Sequence, residues 1–351
     1  MWAHIVSRFV FATAVAIATA SVLACLGALQ ASPEVAQATT SGASKTVSGG
    51  SFGYPIKPFD QEHPIRADLG DPRMHFFGPP TLRTLMHGMG SFSFHEGIDI
   101  AALNGTAVYP IADGTVSRVS SVWVRVESSD GRAFAYWHIR PLVRQGDHVT
   151  TDQTVLGHIM RPAGHVHLTE YQDGHIVNPL APGRLTPYHD STRPTVRSIA
   201  LRHTDSGRDL LPTFVRGRIE IVADAYDTPT MAVEGAWHGL PTTPAAISWR
   251  IQKVTGQVVV PERIAVDHRT TVPANSAFWR VYARGSYQNM CVFGRHYAYM
   301  QRGVYLFKLG HLDTHSLRDG VYDLVVTATD IRGNSDSQSL RVTVHNRGGW
   351  Q

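Results

Sequence analysis

An all-β chain in two parts is predicted: an antiparallel β-sheet domain over residues 56–190, then a β-sandwich over residues 191–351. Three observations carry this. Apolar and polar residues alternate in short runs, as half-buried strands require. Turn dipeptides punctuate the runs, among them Asn104-Gly105, Asp113-Gly114, Asp130-Gly131 and Asp173-Gly174. Nowhere does a helical period persist over the length a stable helix needs.

The chain begins differently. Arg8 is followed by an uncharged run over residues 9–29, and small residues stand near Ala31 and Ala38. Residues 1–31 therefore read as an export segment. Cleavage, retention as a membrane anchor, and lipidation at Cys25 are all open to it, because the run is long enough to span a bilayer. Residues 32–55, rich in Ser, Thr and Gly, read as a flexible linker.

In the first domain, Ile98 and Ile100 flank Asp99. Val122-Trp123-Val124-Arg125-Val126 and Ala133-Phe134-Ala135-Tyr136-Trp137-His138 follow as two more strands. In the second, six runs are expected as strands: Arg218–Val222, Ala246–Ile251, Phe278–Tyr282, Val304–Phe307, Gly320–Asp330 and Leu340–Val344. The last two, with Asp330-Ile331-Arg332-Gly333-Asn334 between them, form an immunoglobulin-like closing hairpin.

Bulk properties narrow the function. The 351 residues are 43% apolar and 17% charged, with a net charge of +4, which is ordinary globular composition. Such a mild basic excess suits an anionic surface such as a cell wall. It does not suit nucleic acid, for which neither a basic run nor an interleaved aromatic stripe is present. Cys291 is the one cysteine after the export segment and reads as a small buried hydrophobe.

The chemistry lies in three short motifs. In His95-Glu96-Gly97-Ile98-Asp99, strand alternation turns His95 and Asp99 the same way, with Gly97 leaving room for an ion or a substrate backbone. Imidazole and carboxylate together suit zinc. A helical His-Glu-x-x-His site is excluded, because the fifth residue is Asp99 and the segment alternates like a strand. In Gly164-His165-Val166-His167, two histidines at i and i+2 share a strand face. Tyr136-Trp137-His138 adds a lone histidine that is weak evidence by itself. Glu96 points away from the metal face. His75, His87, His148, His158 and His175 lack ligand spacing and read as surface or structural groups. Asn104-Gly105-Thr106 fits a glycosylation acceptor, but as a tight turn it needs no such role.

Taken in order, Phe94-His95-x-Gly97-Ile98-Asp99, Gly105-Thr106-x-Val108, Ala112-Asp113-Gly114-Thr115-Val116, Tyr136-x-His138, Gln145-Gly146-Asp147-x-Val149, Leu156-Gly157 and His165-x-His167 resemble the catalytic domain of the lysostaphin-type zinc endopeptidases. That resemblance implies an exported zinc metalloendopeptidase acting on peptidoglycan peptides, in the periplasm, at the cell wall or outside the cell. It implies His95, Asp99 and His167 as ligands of one zinc ion per chain, and His138 and His165 as catalytic histidines, without saying which takes the proton. Leu168 and Thr169 depart from the family pattern, which puts an aromatic and an acidic residue there, and Trp137 replaces a small residue. These departures bear on substrate preference. Two other readings stand beside this one: a non-catalytic wall-binding or hydrolase-activating module, and an exported peptidase acting on proteins. The oligomeric state and any inhibitory role of residues 56–94 are left open. Trp237, Trp279, Tyr282, Tyr287 and Tyr297 suit either substrate docking or the sandwich core.

Overall fold

The computed structural model describes residues 50–75, 91–286 and 303–347. The export segment, Cys291, His87, Tyr287 and Tyr297 lie outside them. Thirteen strands come from the first part of the chain. They are β1 (Ile65–Ala67), β2 (Pro72–His75), β3 (Ser91–Phe94), β4 (Ile98–Ala101), β5 (Ala107–Val108), β6 (Gly114–Val119), β7 (Trp123–Ser128), β8 (Arg132–Trp137), β9 (Ile139–Pro141), β10 (His148–Val149), β11 (Gly157–Ile159), β12 (His165–Gln172) and β13 (His175–Val177). The main sheet runs β1-β4-β12-β8-β7-β6-β10, with β13 on β12, and every pairing is antiparallel. Strands β5, β11 and β9 form a small second sheet, and β2 and β3 a hairpin.

The period-2 pattern explains the two faces of the main sheet. Ile98, Ile100, Val124, Val126, Phe134, Tyr136, Val166 and Leu168 point into one core and are fully buried. The alternate residues, Asp99, Trp123, Arg125, Ala133, Ala135, Trp137, His165, His167, Thr169 and Tyr171, share the other face. Asp173 and Gly174, both at positive φ (50° and 78°), make the primed turn that returns β12 to β13. Glu170 falls on the core side of β12. It is fully buried and held by Arg184.

The second part adds β14 (Thr195–His203), β15 (Asp209–Leu210), β16 (Arg218–Tyr226), β17 (Ala246–Lys253), β18 (Val258–Asp267), β19 (Leu306–Asp313), β20 (Gly320–Thr329) and β21 (Ser335–Val344). They form two four-stranded antiparallel sheets, β15-β14-β16-β19 and β18-β17-β20-β21. Both contribute to one core, which includes Ile221, Trp249, Phe307 and Val326. The closing hairpin pairs β20 with β21 from Gly320↔Val344 to Thr329↔Ser335.

Two expectations are corrected. Phe278–Tyr282 is not a strand: Phe278–Val281 form a single helical turn, α1. Phe278 and Tyr282 then lie four residues apart on one side, with ring centroids 5.0 Å apart. Ordered packing begins before residue 56, since Phe52 and Tyr54 are buried in the first core. The two parts pack on each other. Phe94, at the end of β3, belongs to the core of the second part, where its ring meets Phe278 at 5.4 Å and Tyr282 at 5.9 Å. The described residues all belong to one compact unit, Gly49–Gln351. Among them no helix is long and apolar enough to cross a membrane.

Candidate metal centre

His95 does not sit in a strand. It lies in the short link between β3 and β4, so its direction comes from fixed contacts rather than from alternation. Its backbone N–H donates to the Asp71 carbonyl at 2.8 Å, and its own carbonyl accepts from Gly70 at 2.9 Å. Its ring Nδ1 donates to the Asp68 carbonyl at 2.8 Å. A carbonyl only accepts, so the hydrogen of the neutral ring sits on Nδ1, and Nε2 keeps its lone pair. The loop that supplies these partners is pinned by the second part of the chain. Tyr282 Oη donates to Gly70 O at 2.7 Å, and the Thr243 N–H donates to Asp71 Oδ1 at 2.8 Å.

Strand pairing brings in the other two groups. His167 on β12 stands directly opposite Asp99 on β4. Gly97 permits this approach, because a Cβ there would lie 2.2 Å from the Leu168 carbonyl oxygen and 3.0 Å from His167 Nε2. The room its missing side chain leaves is therefore taken by the neighbouring strand, not by an ion or a substrate.

His95 Nε2, His167 Nδ1 and Asp99 Oδ1 make a triangle with sides of 2.7, 3.0 and 3.0 Å. His167 Nε2 is 2.8 Å from Thr169 Oγ1, a hydroxyl able to accept the ring hydrogen, and in that tautomer Nδ1 is a lone-pair donor. With His167 in that tautomer, three lone pairs converge with no hydrogen between them. That arrangement is repulsive unless a cation fills it, and two imidazoles with one carboxylate are a donor set that zinc takes. The protonation states agree. Burial, with Arg73 nearby, lowers the His95 pKa to about 3, so the ring is neutral at physiological pH. Burial alone would raise Asp99, but His95, His165, Arg66 and Arg73 together hold it well below the usual carboxylate range.

The two remaining histidines flank this triangle. His165, two residues before His167 and on the same face, donates from Nδ1 to the Ala163 carbonyl at 2.6 Å. Its Nε2 therefore faces inward as an acceptor, 3.5 Å from Asp99 Oδ1. His138 follows β8 at φ 65°, a left-handed conformation that costs a non-glycine residue on the order of 1–3 kcal/mol. This conformation turns its exposed ring back over the site, 4.6 Å from His165 and 6.4 Å from His167 between centroids. All five sequence-derived side chains are thus brought together. Glu96 points elsewhere, accepting from Asn275 Nδ2 at 3.2 Å. His148, His158 and His175 are exposed on the surface, and Asn104 closes a turn by accepting from the Gly164 N–H.

Several partners were not legible beforehand. Arg66 Nη2 lies 3.0 Å from Asp99 Oδ2, and Arg73 Nη2 lies 2.8 Å from the same oxygen. Asp68 contributes only its backbone carbonyl. No motif marks these residues, because they reach the site from β1, from β2 and from the loop between them.

Residues 93–179 match the family model described as Peptidase family M23. The chain carries a peptidase family M23 domain. The matched segment contains all five site residues and ends at Pro179. Among solved structures, the domain-bearing chain is similar to a SpoIIQ–SpoIIIAH pore-forming complex (23% identity, TM-score 0.28, covering 37% of this chain and 89% of that one). It is also similar to a zinc-containing peptidase from Vibrio cholerae (23%, 0.28, 36% and 39%) and to Helicobacter pylori Csd3 (19%, 0.29, 41% and 38%). The chain thus spans about two fifths of the length of the last two. A comparison with curated proteins finds no match.

Proposed function

We propose that this M23-domain protein is an exported zinc-dependent endopeptidase that hydrolyses peptide cross-links of bacterial peptidoglycan. The observation that carries the reading is the close triangle of His95 Nε2, Asp99 Oδ1 and His167 Nδ1. These residues would hold one zinc ion per chain. Zinc bound there supplies Lewis acidity: it lowers the pKa of a water molecule and polarises the scissile carbonyl.

The chain's own groups do the rest. His165, oriented by the Ala163 carbonyl, and His138, across from it on the rim, are the two imidazoles that take the proton, return it to the leaving amine and meet the charge that develops on the carbonyl oxygen. Beyond the triangle the same sheet face carries small side chains, Ala133, Ala135 and Thr169. Trp123 and Trp137 stack at 4.8 Å along one side, and the Arg125 guanidinium lies 4.7 Å from the Tyr171 ring centre. The mild positive charge suits an anionic wall. Residues 1–31 direct export, and the second part of the chain is an accessory, immunoglobulin-like sandwich.

The test is incubation of the full chain with purified peptidoglycan, with zinc and with chelator, followed by mass analysis of the released peptides. Zinc-dependent release of cross-link fragments is the expected result. No release in either condition, from protein that holds zinc, would support a binding module instead.

A further inference from the structure

Arg66 is 6% exposed and lies at the centre of a chain of contacts that joins the two parts of the molecule. On one side its Nη2 pairs with Asp99 Oδ2 at 3.0 Å and lies against His165, 2.9 Å from Nε2 and 3.1 Å from Nδ1. On the other, its guanidinium carbon lies 3.8 Å from the centre of the Trp237 ring. Trp237 ends a single 3-10 turn, Gly235–Trp237, in the loop between β16 and β17. A flat guanidinium stacked on an indole loses rotational freedom without losing its in-plane donors.

The geometry points to Arg66 as a positioning residue of the peptidase reaction, locked in place by Trp237 of the C-terminal sandwich. This rests on the zinc peptidase reading above and deepens it. Three consequences follow from the contacts. By engaging Asp99 Oδ2, Arg66 leaves Oδ1 as the single ligand oxygen. By lying against the His165 ring, it holds the rotamer in which Nδ1 meets the Ala163 carbonyl. Its positive charge, on the far oxygen of a ligand carboxylate, opposes a second cation on the near oxygen. Site order is therefore gained at the expense of metal affinity. The sandwich is then part of the working site, not a spacer.

The experiment compares zinc affinity, by competition with a chromogenic chelator, and initial hydrolysis of purified peptidoglycan. It uses the full chain and its Arg66→Gln, Trp237→Ala and Trp237→Phe variants, each checked for folding by circular dichroism. Arg66→Gln is expected to bind zinc at least about threefold more tightly while hydrolysing about 100-fold more slowly, reflecting lost charge repulsion together with lost orientation. Trp237→Ala should move both quantities the same way by a smaller factor. Trp237→Phe should recover most of the rate, because a flat ring remains. A merely structural role would weaken zinc binding or leave it unchanged. Either of those results in Arg66→Gln, or full activity in Trp237→Ala, overturns the proposal. A wild-type chain that binds no zinc at all would instead sink the underlying peptidase reading.

Discussion

Gly97 and Leu168 are in backbone contact across β4 and β12, so close that a Cβ at position 97 would lie 2.2 Å from the Leu168 carbonyl oxygen. The pairing that sets Asp99 opposite His167 depends on that approach. Gly97→Ala should therefore force the strands apart. The expected cost is about 1–3 kcal/mol, typical of overpacking, together with loss of zinc. Thermal unfolding and metal analysis check this, and a variant that unfolds like wild type with full zinc would refute it.

The division between ligands and catalytic groups predicts two different single-variant phenotypes. His167→Ala removes one corner of the triangle and should lose both metal and hydrolysis. His138→Ala should keep zinc and lose about 10²–10⁴ in rate, the usual range for a positioned proton donor or acceptor. Zinc content and peptide release, measured on the same preparations, separate the two.

Converging lone pairs should make the metal-free form the weaker fold. Adding zinc at about 100 times its dissociation constant should raise unfolding free energy by about 2.7 kcal/mol, provided that the unfolded chain does not bind it. A chelator titration followed by circular dichroism measures this. An unfolding temperature that ignores zinc would mean that the triangle is not a metal site.

Phe94 links the site to the second core. Phe94→Ala should cost about 3–5 kcal/mol, as for other buried aromatics, and it should loosen His95, the next residue. Denaturant unfolding gives the first effect. A drop in zinc affinity gives the second.

A pH dependence follows from a carboxylate cluster away from the metal centre. The carboxylates of Asp190, Asp227 and Asp330 lie within 4.8 Å of one another. Burial, then repulsion from Asp68, Asp190 and Asp330, raises Asp227 to about 8. A folded pKa above the unfolded value means that the native state binds the extra proton. The contribution is complete below about pH 4 and lost as pH rises through about 8. With chelator present, wild type should lose stability relative to Asp227→Asn as pH rises across that window. Parallel wild-type and variant curves from pH 4 to 8 would contradict the shift.

Much of this was legible in the residues themselves. The alternation of β8 and β12 put Phe134, Tyr136, Val166 and Leu168 on one face, and it grouped His165 with His167, because side-chain direction in a strand is a local property. Phe278–Tyr282 misled for the same reason: its alternation suits a strand, but packing against Phe94 selected a helical turn. His95 misled in a subtler way. It shares a site with Asp99, yet its direction comes from the Asp68 carbonyl and not from a pleat.

By itself, then, the order of residues determined the strand faces, the turn positions, and five polar groups of metal-site chemistry. Only the tertiary structure decided which nitrogen of each ring faces the triangle, since that depends on the carbonyl or hydroxyl at the ring's other edge. It alone brought Arg66 and Arg73 to Asp99, and Trp237 to Arg66. Those contacts join residues 26 to 171 positions apart, which share no local pattern and meet only because two cores pack together.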